Sequence, residues 1–373
     1  MIAWFRYICL IVSLIITMPE LLSAQRLVSQ RQEDVEAGLL YNESVYILSN
    51  YSCLSSNSPE KLSLDELLRK QIEGFYFYLK RDTETNVLLL RKPDGTFTPF
   101  SESLEAIKTA LDADSTKVMT LFLDFYVETE LESSFKEIGL MEYVLEYDTK
   151  NGWPSLKDML SSGKRLVVFE VQKHLNSPSW LHNMRDFVEH TDADWGNQPE
   201  GVESFDERLK KNLSLFTGYK FLETSRGNSN DISALARQTP YLIESFKRAW
   251  IRDGRVPNFI LVDKYYAWLD VSLVTFRNFD IIYGAVTNNN ELLNYVNWDG
   301  MSNYTTGKYC FPLEPGAELM LSPISPGYRI EPATVYVSGT QRKAFAGDFK
   351  ARPLRIDEDI AVSYTHLTLP TIL

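Results

Sequence analysis

The chain carries four histidines, His174, His182, His190 and His366, and imidazole is the side chain whose ordinary pKa suits proton transfer near neutral pH. His174 lies just past the apolar run Arg165 to Val171. His182 and His190 share a helix-like stretch with Trp180, Leu181, Met184 and Phe187, where they would face solvent or cap the helix. Three carboxylates end apolar runs: Asp124, Glu170 and Asp263. Asp124 and Glu170 could flank a glycosidic bond if roughly 5 to 9.5 Å separates them. Three cations, Lys80, Arg81 and Arg91, end two other runs, and guanidinium forks with an ammonium could clamp a phosphate without a metal. Lys80-Arg81-Asp82 reads equally as a solvated turn. No Gly-x-Ser-x-Gly elbow, Walker loop or Cys-x-x-Cys pair is present, which removes the hydrolase nucleophile, the nucleotide cradle and sulfur-bound zinc as starting points.

The elements that must position these groups alternate. Ser44 to Ser49, Gly74 to Leu79, Val87 to Leu90, Val118 to Tyr126, Arg165 to Val171, Tyr219 to Leu222, Asn258 to Asp263 and Asp280 to Val286 read as short strands. Between them lie helical patterns at Leu62 to Ile72, from Ser101, at Leu131 to Ile138, from Trp153-Pro154-Ser155 to Gly163, at Pro240 to Ile251 and around Leu269 to Phe276. Eight apolar runs spaced by helices suit an α/β fold with a (β/α)8 TIM-type barrel, irregular in places, over residues 44–300. An open doubly wound sheet is the alternative, but no Gly-x-Gly-x-x-Gly follows the first strand. Residues 301–361 are rich in Pro and Gly and read as a truncated β-rich C-terminal segment or the start of a further domain.

The two ends call for separate treatment. Residues 1–24 carry Arg6, an apolar run from Tyr7 to Ile16 and a small-residue exit at Ser23-Ala24, the pattern of a secretory signal peptide. A secreted, cell-surface or periplasmic location follows as the expectation, with residues 25–43 as lead-in. Residues 362–373 look like the translated end of a sequencing-library adapter and are set aside from fold reasoning, along with His366. Cys53 and Cys310 then remain, and in an oxidising compartment they could pair or stay as buried thiols. Sequons at Asn42, Asn50, Asn212 and Asn303 would matter in a glycosylating cell. The formal net charge of −12 argues against a nucleic-acid partner, which needs a basic face.

Four passages together resemble the X-domain of phosphatidylinositol-specific phospholipase C in its secreted single-domain form. They are Tyr46 to Ser52, Val118 to Val127, Trp153 to Leu160 with Lys164 to Phe169, and Val256 to Asp263. The resemblance implies a barrel whose two histidines shuttle the inositol 2-hydroxyl proton and protonate the leaving alkoxide. Those positions correspond here to Asn50 and Arg91, neither of which exchanges a proton near neutral pH. Where the family shows metal-holding acids this chain has Leu79 and Arg81, so calcium is not expected and no cofactor is assigned. The implied site residues are therefore Asn50, Arg91 and Asp124 at the family's catalytic positions, with Lys80, Arg81, Glu170 and Asp263 as ligand contacts on the rim.

This leads to a catalytically degenerate barrel that binds a phosphorylated polyol, a lipid headgroup or a glycan, with peripheral contact to a membrane surface. The competing readings are a metal-independent phosphodiesterase using Asp124 or Glu170 as base and a secreted glycosidase. A carboxylate base wants its pKa raised by burial, and neighbouring arginines push the other way.

Overall fold

The computed structural model describes residues 31–53, 62–70, 72–125, 131–147, 150–172, 177–192, 215–219, 247, 250–251, 254–262, 276–298, 304–305, 307–339 and 341–354. The expected signal peptide, the terminal adapter-like run, His174, Asp263 and nearly all of the helices expected at Pro240 to Ile251 and Leu269 to Phe276 lie outside them. The chain divides into two compact units, residues 1–249 with 256–278 and residues 250–255 with 279–373.

The first unit is built on eight parallel strands: β1 (Tyr46–Ser49), β2 (Gly74–Arg81), β5 (Met119–Asp124), β6 (Leu166–Glu170), β7 (Leu181–Asn183), β8 (Val188–Asp192), β9 (Leu215–Tyr219) and β10 (Phe259–Val262). Two further strands, β3 (Leu88–Arg91) and β4 (Phe97–Pro99), extend β2 as an antiparallel ribbon. The neighbour order β7-β6-β5-β2-β1-β10-β9-β8 is chain order bent into a ring, with the first strand beside the last. That is the strand order of a β/α barrel. Among the described residues no ladder joins β7 to β8, so the ring has one unsealed seam.

Burial explains why these runs are strands. Every residue of β1 and β6 and five of the six in β5 are buried, as parallel strands require when side chains on one face fill the barrel and those on the other meet helices. Helix Leu64–Arg69 starts where Ser63 Oγ accepts from Glu66 N at 3.3 Å while Glu66 Oε2 accepts from Ser63 N at 2.7 Å, a reciprocal cap. Helix Leu156–Ser162 is capped in the same sense by Ser155 and ends at Gly163, whose φ of 73° favours glycine. At Gly74 a Cβ would collide with the Thr120 carbonyl oxygen. Glycine there lets β2 and β5 approach.

Three sequence expectations need correction. The run Asp280 to Val286 was expected in the barrel. It forms strand Asp280–Asn288, which belongs to the second unit and pairs antiparallel with Lys308–Leu313 and parallel with Lys343–Pro353. Conversely, the helix-like stretch holding His182 and His190 supplies β7 and β8, joined by the single turn Met184–Phe187. Strands of three and five residues are too short for periodicity to separate them from a helix. The run Val87 to Leu90 forms the antiparallel β3 and lies off the ring.

The second unit is β-rich. Its core packs Trp298 against Tyr309, Phe311 and Phe349, with ring centroids 4.8, 5.0 and 5.9 Å apart, around Ile282, Val286 and Val296. Cys310 is a buried free thiol that accepts a hydrogen bond from Trp250 Nε1 at 3.0 Å. The side chain of Cys53 lies outside the described residues.

Candidate functional site at the barrel mouth

Side chains alternate between the two faces of a strand, and residues paired in register share a face. The face holding Tyr46, Phe122, Phe169 and Phe259 fills the barrel, with centroids of Phe122 5.1 Å from Phe169 and 5.2 Å from Phe259. Following that face to the C-terminal strand ends, where barrels place their sites, gives Tyr76 and Tyr78 on β2 and Asp124 on β5, with Tyr78 and Asp124 paired. Tyr76 Oη donates to Asp124 Oδ2 at 2.9 Å, and Gln172 Nε2 donates to Oδ1 at 3.4 Å. Asp124 is thus a held, inward-facing carboxylate.

Asn50 follows β1 directly and is buried. Two residues on, Ser52 Oγ accepts from Tyr78 N at 2.8 Å and donates to the Arg91 carbonyl oxygen at 3.0 Å. This hydroxyl stitches the segment leaving β1 to both β2 and β3. It explains how Asn50 and Arg91, 41 positions apart in the chain, come to the same end of the barrel.

The ribbon sorts the cations. Lys80 pairs with Leu89 and Arg91 with Phe97, so Lys80, Leu89, Arg91 and Phe97 share one face, continuous with Tyr76 and Tyr78. The Lys80 ammonium stands 3.6 Å above the Phe97 ring. Arg81 falls on the other face, with Leu79, Leu88 and Leu90. The three-cation clamp expected from the sequence is therefore split: Lys80 and Arg91 face together and Arg81 does not. Adjacency in the chain is the reason, since neighbouring strand residues cannot point the same way.

The same parity removes Glu170 from the rim. It pairs with Leu123, which places it on the face opposite Asp124. There it is buried, accepting from Asn183 Nδ2 at 3.1 Å and Ser177 Oγ at 2.6 Å. Glu170 braces β6 to β7 and cannot join Asp124 across a sugar bond, which removes the glycosidase reading and the choice of Glu170 as base.

His182 also departs from expectation. It is buried on β7 among Trp153, Phe169, Phe187 and Tyr147, with centroids 5.6 to 6.5 Å away. Its Nε2 bonds the Leu145 carbonyl oxygen at 3.1 Å, which fixes that nitrogen as the protonated one. Burial pushes its pKa down to about 4, so it is a neutral core side chain. His190 sits on β8 opposite Thr217. Its side chain, like His174 and Asp263, lies outside the described residues.

The mouth therefore brings together Asn50, Lys80, Arg91 and Asp124, and adds Tyr76, Ser52 and Gln172, which sequence reasoning missed. Tyr76 was accessible from the sequence, because the alternation in Gly74 to Arg81 puts Tyr76, Tyr78 and Lys80 on one side. Ser52 and Gln172 carry no such signal. Chemically the set offers two cations, a phenol and a carboxylate. It also offers the Asn50 amide, which does not titrate.

Comparison with known proteins finds the following similarities. Residues 90–199 match the family described as PI-PLC X. Among solved structures, phosphatidylinositol-specific phospholipase C from Listeria monocytogenes is 14% identical, with 65% of this chain and 98% of that chain covered at a TM-score of 0.41. The F249X mutant of the phosphatidylinositol-specific phospholipase C from Staphylococcus aureus is 13% identical, covering 65% and 97% at 0.38. L. pealei PLC21 is 12% identical, covering 60% and 31% at 0.36. No curated protein matches the chain. Residues 90–199 are thus similar to the X-domain of phosphatidylinositol-specific phospholipase C.

Proposed function

We propose that this protein is a catalytically degenerate relative of the phospholipase C barrels that binds a phosphorylated polyol, as carried by an inositol lipid headgroup, without cleaving it. The observation that carries this reading is the pairing of Asn50 and Arg91 at one barrel end through Ser52. In-line attack by a ring hydroxyl needs a base to take its proton and an acid to protonate the leaving alkoxide. A carboxamide does neither, and a guanidinium stays charged. What remains suits recognition: Lys80 and Arg91 present charge to a phosphate, and Asp124 accepts hydroxyl protons from a polyol ring.

A divalent cation does not fit this donor set. Leu79 offers no oxygen and faces away with Arg81, and Asp124 already accepts from Tyr76 and Gln172. A hard cation needs several oxygen ligands, so phosphate recognition rests on the two side-chain cations. Secretion, from the signal-like first 24 residues, places the mouth where it would meet an outer lipid surface. Among the described residues no helix is long and apolar enough to cross a membrane.

The test is titration of the full chain with myo-inositol 1-phosphate and with myo-inositol, followed by calorimetry. Saturable binding of the phosphate ester, weakened by raising salt and by Lys80→Ala, supports the reading. Equal, salt-independent binding of both compounds, or none of either, removes it.

A further inference from the structure

We propose a second binding site in the β-rich unit, a cleft for a neutral carbohydrate. The cleft encloses about 430 Å³, inside the range of small-molecule sites, roughly 300 to 1,000 Å³. One wall is the hairpin in which Asn288 pairs with Glu291 across a two-residue turn, Asn289 and Asn290, both at positive φ (49° and 68°). That is the primed turn a tight hairpin needs. The chain continues from it through Asn294 and Tyr295. The other wall is the turn from Ser325 to Tyr328, closed by Tyr328 N donating to the Ser325 carbonyl oxygen at 3.1 Å. Ser325 Oγ donates to the Tyr295 carbonyl oxygen at 2.8 Å and ties the walls together. The cleft is therefore pre-formed: each wall is locked by its own turn, and a partly buried side-chain hydrogen bond fixes the gap.

The lining selects the ligand class. Tyr295, 43% exposed, and the half-buried Tyr328 offer aromatic surface, onto which the C–H face of a sugar ring can pack. Asn288, Asn294 and Glu291 supply donors and acceptors matched to adjacent hydroxyls. Among the described residues no Lys, Arg or His lines the cleft, and Glu291 is the one charged side chain there. An anionic phosphate ester would meet a carboxylate without a counter-charge, so this cleft refuses the ligand class assigned to the barrel. A flat apolar peptide face would not want three amide or acid groups among nine lining residues. A pyranose, which shows apolar C–H groups on one side and hydroxyls at its edge, satisfies both features.

Saturation-transfer difference NMR on the full chain tests this with cellobiose, maltose, lactose and N,N′-diacetylchitobiose as probes. At least one disaccharide is expected to receive saturation at its ring protons. Tyr295→Ala should weaken it by about tenfold, the loss of one stacking face. Asn294→Ala, at an exposed position, should also weaken it and serves if the tyrosine variant does not fold. Lys80→Ala should leave it unchanged, which separates this site from the barrel mouth. The proposal is overturned if none of the four sugars receives saturation, or if transfer persists undiminished in Asn294→Ala.

Discussion

Removing the charge of Glu73 should damage the first unit more than almost any other single change. Glu73 stands just before β2, 6% exposed, and its Oε1 accepts from Arg31 and from Arg277 Nη2, the latter at 2.9 Å. Its Oε2 accepts from Ile47 N on β1 at 3.3 Å. Arg31 and Arg277 are 5% and 2% exposed, and Asp34 also pairs with Arg31 at 3.5 Å. Glu73→Gln keeps the shape and deletes the charge that both buried guanidiniums face. Breaking a buried ion pair from one side costs about 3 to 5 kcal/mol, against a typical total of about 5 to 15 kcal/mol. Hydrogen exchange of peptides covering β1 and β2 reads this unit by itself. At about 1.4 kcal/mol per decade, protection of their slowest amides should fall by roughly 100- to 4,000-fold. A loss smaller than about tenfold would refute the view that this triad clamps the N-terminal helix, residues 31–36, and residue 277 onto the strands.

Three further outcomes follow from the geometry. His182 has a folded pKa of about 4 against an ordinary 6.5, so the unfolded chain binds the extra proton. Its contribution is complete above pH 6.5 and declines by about 1.4 kcal/mol per unit as pH falls towards 4; in His182→Phe, thermal melts across that range should lose this component of the slope. Gly74→Ala should cost about 1 to 3 kcal/mol, because β2 and β5 must part to admit a Cβ, and urea titration would read it. Arg91→Ala should weaken binding of myo-inositol 1-phosphate by about tenfold or more by calorimetry. Arg81→Ala, on the opposite ribbon face, should change it less than about twofold.

The alternation of apolar runs and helices made the barrel legible, because buried parallel strands such as Leu166–Glu170 cannot be mistaken for surface. The resemblance placed Asn50 and Arg91 at one end, and the Ser52 bridge supports that. Which strands formed the ring was less legible. Leu181–Asn183 is shorter than one helical turn and spans barely more than one strand repeat, and Asp280–Asn288 looks like a barrel strand until its partners are known. The site failed where strand ends were read without parity. Glu170 and Arg81 each lie next to an inward-facing position, and one residue of register turns a side chain to the other face. His182 was misplaced for a related reason: polarity suggested solvent, while the aromatic side chains around it and the Leu145 carbonyl make a dry socket for a neutral ring.

The most direct test of the central claim is turnover. Purified protein incubated with phosphatidylinositol vesicles and with glycerophosphoinositol should release no inositol cyclic phosphate above a mock preparation, by phosphorus NMR, at any pH from 5 to 9. Release above the mock that is lost in Asp124→Asn would contradict it, for the mouth would then hold a working proton acceptor.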